Sequence, residues 1–214
     1  MSGLLRVSAL VCCCLVWFTI SACQSGPKPR QSYYQLAPEI RQQSPDPKAC
    51  GTILVSRVES RGFAGGRAIV FRESADSLEV QRYHYHFWSQ SPDSMIQEGI
   101  TLSLRATGLF RYVITPAERA QADWIVSGTL LRLEHFPNAA PANIVLEVEL
   151  GVVAAKTHET IFLKRYLENG SATNNSVNDA VLALNHALER MLANIQYDMT
   201  KKSTDQRTSC ERSE

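Results

Sequence analysis

No excess of charge of either sign marks this chain. Its 214 residues hold 22 Lys and Arg against 21 Asp and Glu, so it lacks the basic face that nucleic acid demands. No polybasic run offers itself to a membrane surface. No apolar run is long enough to cross a bilayer, which takes about 20 residues. Catalytic signatures are missing too: there is no Gly-x-Ser-x-Gly elbow and no His-Glu-x-x-His. The stretch Arg61-Gly62-Phe63-Ala64-Gly65-Gly66 lacks the Gly-Lys-Ser/Thr of a phosphate cradle and reads as a turn between strands. Cysteine is sparse beyond residue 22, with only Cys23, Cys50 and Cys210.

What is present begins at the N-terminus. Arg6 precedes an apolar run over 7–20, followed by Ile20-Ser21-Ala22-Cys23. A charge, a short apolar core and small residues are the order of a secretory signal peptide. An aliphatic residue, two small residues and Cys resembles the bacterial lipobox. Residues 1–22 are then a signal peptide, and Cys23 is the lipidation site at the new N-terminus. Several acyl chains there would hold the protein firmly, since each buried methylene contributes about 0.8 kcal/mol. Gln24 stands where an Asp would favour inner-membrane retention, which is the outer-membrane pattern. With Arg6 removed, bases and acids balance, and contact with the bilayer is expected from the lipid alone. Cys50 and Cys210 either pair, as an oxidising compartment allows, or remain two free thiols; sequence leaves both open.

Residues 23–32, with Pro27 and Pro29, read as a flexible tether. The folded domain is expected over 33–196. Strand candidates lie at 33–36, 52–58, 67–72, 78–81, 83–88 and 110–114, with a turn or short helix at 116–122. A helix is expected between Ser91-Pro92 and Gly108, with Met95, Gly99, Leu102 and Ala106 on one stripe beside Ile96 and Ile100. Then 123–136, 144–153 and 160–167 read as an antiparallel meander, because their connections are too short for a crossover helix. In the second of these, Ile144, Leu146, Val148, Leu150 and Val152 alternate with Val145, Glu147, Glu149, Gly151 and Val153. The last helix opens at Ser176 with Asp179, and Val177, Val181, Leu184, Leu188, Met191 and Ile195 make one apolar face. From Tyr197 to 214 the chain is polar and reads as a frayed tail. The fold class is α/β of the α+β type: a mixed, largely antiparallel sheet with two main helices packed on it.

Few residues offer chemistry. His84 and His86, two apart on a strand, could be two corners of a metal site, but a catalytic zinc takes three protein ligands. His135 and His158 would complete it only if the fold brought them near. Aromatic sheet packing explains the pair better, and neither a metal nor a cofactor is expected. Glu147 and Glu149 read as the solvated side of a half-buried strand. The Asn169 and Asn174 glycosylation patterns read as loop composition. No nucleophile and base stand together, so an enzyme is not expected.

As a set, Tyr33-Tyr34-x-Leu36, the strand 67–72, Tyr83 to Trp88, Ser91-Pro92, Met95-Ile96 and Gly108-Leu109-Phe110 resemble the ABC-type transport auxiliary lipoprotein family. The resemblance spans roughly 33–195, and His84 and His86 depart from it. It implies a non-catalytic lipoprotein facing the periplasm from the inner leaflet of the outer membrane. Its partners would be a periplasmic MCE-domain protein and the associated inner-membrane permease of a lipid-transport system, and the family admits ring-like self-association. A lipid or small apolar-ligand carrier and a structural envelope protein are the alternatives. The lipobox makes a direct prediction: Cys23→Ala abolishes labelling with a palmitate analogue and leaves residues 1–22 attached, seen as a heavier species by mass spectrometry.

Overall fold

The computed structural model describes residues 29–40 and 51–210. In chain order the strands are β1 (Ser32–Tyr34), β2 (Thr52–Ser60), β3 (Ala68–Phe71), β4 (Gln81–Trp88), β5 (Tyr112–Ile114), β6 (Trp124–Phe136), β7 (Asn143–Ala154) and β8 (Thr160–Ser171). Helix α1 (Pro92–Thr107) separates β4 from β5, and α2 (Val177–Cys210) follows β8.

β6 is the spine of the sheet. Antiparallel β7 lies along one side of it, from Trp124 opposite Ala154 to Phe136 opposite Asn143. The other side is shared. Parallel β2 covers the first half, from Ile53 opposite Trp124 to Ser60 opposite Leu130. Parallel β3 covers the end, at Glu134 and His135. The glycine-rich stretch forms one 3-10 turn, Gly62–Gly65, so β2 and β3 behave as one strand interrupted by a loop. From there the sheet forks. β5 pairs with β2 on one branch; β4 and then β1 extend from β3 on the other. On the far side β8 pairs with β7, completing eight strands. The two longest pairings are antiparallel and the meander β6–β7–β8 is present, so this is the mixed α+β sheet read from sequence.

Both helices pack on one face of this sheet and on each other. Ile144, Leu146, Val148, Leu150 and Val152 of β7 all point into that interface and are buried. The stripe of α2 from Val177 to Ile195 is buried in full; each such aliphatic side chain contributes about 1.5–3 kcal/mol by leaving water. Ser176 Oγ accepts the Asp179 N–H at 3.1 Å, closing the N-terminus of α2. α1 starts at Pro92 and stops at Gly108, whose φ of 62° needs no Cβ.

Three readings differ from the structure. The buried stripe of α1 runs through Met95, Ile96, Gly99, Ile100, Ser103 and Leu104, whereas Leu102 is 45% exposed. Gly99 faces Leu188 and Leu192 of α2, so the face that packs runs through Gly99 and leaves Leu102 to solvent. Residues 78–81 form no strand of their own; only Gln81 joins β4, and Leu78 is exposed. Helix α2 does not fray at Tyr197. Met199 extends the apolar stripe by one more step and is buried, and Asp198 Oδ2 accepts hydrogen bonds from Lys164 Nζ at 2.6 Å and Tyr166 OH at 2.8 Å. The helix continues to Cys210.

After β1 the chain crosses the helices in extended form. Ala37 N–H donates to Asn185 Oδ1 at 2.6 Å and Glu39 N–H to Glu189 Oε1 at 3.0 Å, while Leu36 is buried. At the start of β2, Gly51 has φ 72° and its carbonyl accepts the Arg111 N–H. A Cβ there would collide with the Trp124 ring. Gly51→Ala is therefore expected to destabilise the domain by about 2 kcal/mol or more, measured by urea unfolding.

Candidate docking face

The sheet face away from the helices, the open face, is crossed by β8, β7 and β6 side by side. Leu163 and Leu167 of β8 are 65% and 53% exposed. Between them Arg165 reaches Glu147 and Glu149 of β7, each at 3.4 Å. The two glutamates thus line the solvated side, as their alternation implies, and they serve the sheet as partners of one arginine. Apolar exposure on this face is interleaved with charge: Leu, Arg and Leu succeed one another along one side of β8.

A bulge in β6 between Leu130 and Arg132 changes which residues face outward beyond it. Leu133 and His135 turn toward the helices; Arg132 and Glu134 turn to the open face. Glu134 is almost wholly buried there, between Arg72 (3.0 and 3.2 Å) and Arg132 (2.8 and 3.2 Å). Val70, Val145 and Phe136 are buried around it outside the main core, with the Arg132 guanidinium 6.0 Å from the Phe136 ring. Burial by itself would raise the Glu134 pKa, but hydrogen bonds from Arg72 and Arg132 outweigh it and hold the carboxyl below its usual range.

On the helix side a chain of rings follows β4. Tyr34 OH hydrogen-bonds His86 Nδ1 at 2.9 Å, the His86 ring meets Tyr83 edge to face, and Tyr83 OH hydrogen-bonds His135 Nδ1 at 2.9 Å. His135 is fully buried, and its Nε2 has no hydrogen-bond partner among the described residues. Burial pushes the imidazole down to about 4 and the Tyr83 hydroxyl, aided by Glu73, up to about 12. His84 is exposed, with its ring 6.4 Å from that of Tyr85; His158 sits in the β7–β8 turn with φ 59°. Among the described residues no group of three His, Cys, Asp or Glu is placed to hold a metal. Cys23 and Cys50 lie outside the described residues, and Cys210 is the last residue of α2. The Arg72–Glu134–Arg132 cluster and the Tyr83–His135 pair were not read from sequence. Their one trace is the doublet Leu130-Leu131, which breaks the alternation of β6 where the bulge lies.

A half-open cleft of about 310 Å³ lies where the 36–40 segment meets the helices, lined by Glu39, Ile40, Ser103, Leu192 and Gln196 among others.

The family model for the ABC-type transport auxiliary lipoprotein component matches residues 34–196. The chain belongs to this family. No curated protein matches it. Among solved structures, a Xanthomonas campestris protein assigned to the family DUF330 is similar at 13% identity and a TM-score of 0.70, over 81% of this chain and 98% of that one. An uncharacterized protein is similar at 13% identity and a TM-score of 0.62, over 80% and 99%. At such identities the likeness speaks for the fold. Family membership makes the chain an envelope-associated lipoprotein, an auxiliary component with partners in an ABC-type transport system.

The buried imidazole gives a pH prediction. The unfolded chain protonates His135 near 6.5 and the folded one only near 4, so folded stability is complete above pH 6.5 and declines as pH falls. The loss reaches about 3 kcal/mol at pH 4 from this group. In His135→Phe that part of the slope should disappear, as read by urea titrations across the same pH range.

Proposed function

We propose that this lipoprotein is the non-catalytic docking subunit of an MCE-type ABC lipid-transport system. Acylated at Cys23, it sits on the inner leaflet of the outer membrane and faces the periplasm. There it receives the far end of a periplasmic MCE-domain assembly whose permease lies in the inner membrane. Its contribution is binding and positioning, with lipid passing through or beside the complex. The observation that supports the reading is the family match over 34–196 on a domain that leaves Leu163 and Leu167 exposed on the sheet face away from the helices. Leu163 and Leu167 flanking Arg165 at the β8 edge suit a protein partner, since they combine apolar area with a charge that fixes register.

A second reading has one observation in its favour. The cleft of about 310 Å³ is at the lower bound of small-ligand sites, roughly 300 Å³. A carrier would retain its cargo in native mass spectrometry after delipidation.

The docking reading is tested by isolating the full-length lipoprotein from its own membranes in mild detergent. An MCE-domain protein and its permease should co-purify, and Leu163→Asp with Leu167→Asp should reduce their recovery at least tenfold, as expected for roughly 1.4 kcal/mol or more of lost binding. Recovery of the lipoprotein at the outer membrane with no transport component would refute it and favour the carrier or a structural role.

A further inference from the structure

The edge of the sheet at β1 and β4 carries a surface unlike the rest of the open face. Tyr33 of β1 lies opposite Phe87 of β4, and Phe87 lies opposite Ala68 of β3. Two residues along β3, Val70 lies opposite Arg82, so Phe87 and Arg82 share one face despite the irregular register between them. Tyr33 is 58% exposed, with its ring 5.8 Å from Phe87. Arg67 stands 5.9 Å from the Tyr33 ring, and Arg82 stands 4.7 Å from the ring of exposed Phe63. Neither guanidinium meets a carboxylate among the described residues. Arg67 donates only to the Trp88 and Ser89 carbonyls. This differs from the arginines at the middle of the face, Arg72, Arg132 and Arg165, each of which is held by a glutamate.

Rings beside guanidinium groups that meet no carboxylate among the described residues suit the boundary between acyl chains and headgroups. Aromatic side chains settle at that level of a bilayer, and an arginine can lay its stem on apolar surface while its head meets phosphate. The position of the patch in the chain selects this occupant over a protein. β1 begins at Ser32, and ten residues of tether reach at most about 35 Å, so an anchor at Cys23 holds Tyr33 within that distance of the lipid surface. The partner site at β8 is on the opposite edge of the sheet, five strand spacings away, or roughly 24 Å. We infer that the β1–β4 edge, through Tyr33, Phe63, Arg67, Arg82 and Phe87, rests on an anionic phospholipid surface and orients the domain on its membrane. The inference adds a second contact to the acyl anchor, which the balanced net charge of the chain gave no reason to expect. It rests on the anchored reading of Cys23.

The test removes the anchor so that the surface is measured alone. The mature chain from residue 23 carrying Cys23→Ser is sedimented with vesicles of mixed phosphatidylethanolamine and phosphatidylglycerol, and with phosphatidylcholine vesicles. It should associate with the anionic vesicles, weaken as salt rises, and associate little with phosphatidylcholine. Arg67→Gln with Arg82→Gln should lower the partition roughly ten- to thirtyfold, from about 1 kcal/mol for each base near an anionic surface. Tyr33→Ser should lower it further, and Tyr112→Ser, at an exposed tyrosine on the other branch of the sheet, should leave it unchanged. Circular dichroism confirms that each variant is folded. No association with anionic vesicles overturns the inference, as does a partition that the paired arginine change leaves intact or that Tyr112→Ser lowers equally. Failure of the anchor itself would appear elsewhere, as wild-type protein that does not float with native membranes.

Discussion

One backbone edge holds this domain together. The side of β6 away from β7 is offered first to β2 and then to β3, and each branch of the sheet hangs from one of those pairings. β5 reaches the sheet only through β2; β4 and β1 reach it only through β3. The glycine turn between β2 and β3 lets the chain leave the ladder and return to the same neighbour. Because the loop exits there, two short strands can be added at different heights. The N-terminal edge is thereby carried outward from the strands that make up the rest of the face.

The same strand keeps two ionisable groups in opposite ways on its two sides. Glu134 stays charged because two guanidinium groups supply the hydrogen bonds that water would have given. His135, the next residue, stays neutral because burial disfavours the imidazolium, while the Tyr83 hydroxyl meets its Nδ1. A sequence in which Glu and His are adjacent suggests an acid–base pair. The pleat separates them instead, one into an ionic cluster on the open face and the other into the apolar interior, and neither is placed to exchange a proton with the other.

Legibility followed the strength of local periodicity. The α2 stripe and the alternation of β7 are dense enough that their buried faces could be named residue by residue, and the two helices on a mixed sheet followed from element order and loop length. Leu102 was misplaced because a 3–4 spacing in α1 fits two adjacent stripes, and only contact with α2 at Gly99 chooses between them. The helix past Tyr197 looked too polar to persist; what extends it is tertiary, through Met199 and the Lys164–Asp198–Tyr166 contacts. Of the site, Glu147 and Glu149 were readable as outward residues. Their shared arginine was not, because cross-strand partners are set by register. The bulge at Leu130-Leu131 reassigns the outward residues of half of β6, and a pattern argument that assumes one unbroken period cannot see it.

The long wait for β6 has a kinetic side. Thr52 and its partner Asp123 are 71 residues apart in the chain, and until β6 forms, the β2–β5 pair and the β1–β4–β3 group have no strand to join them. Pairings so distant in sequence form slowly and late. The two branches are therefore expected to stay apart in the early folding chain and to join once β6 is in place.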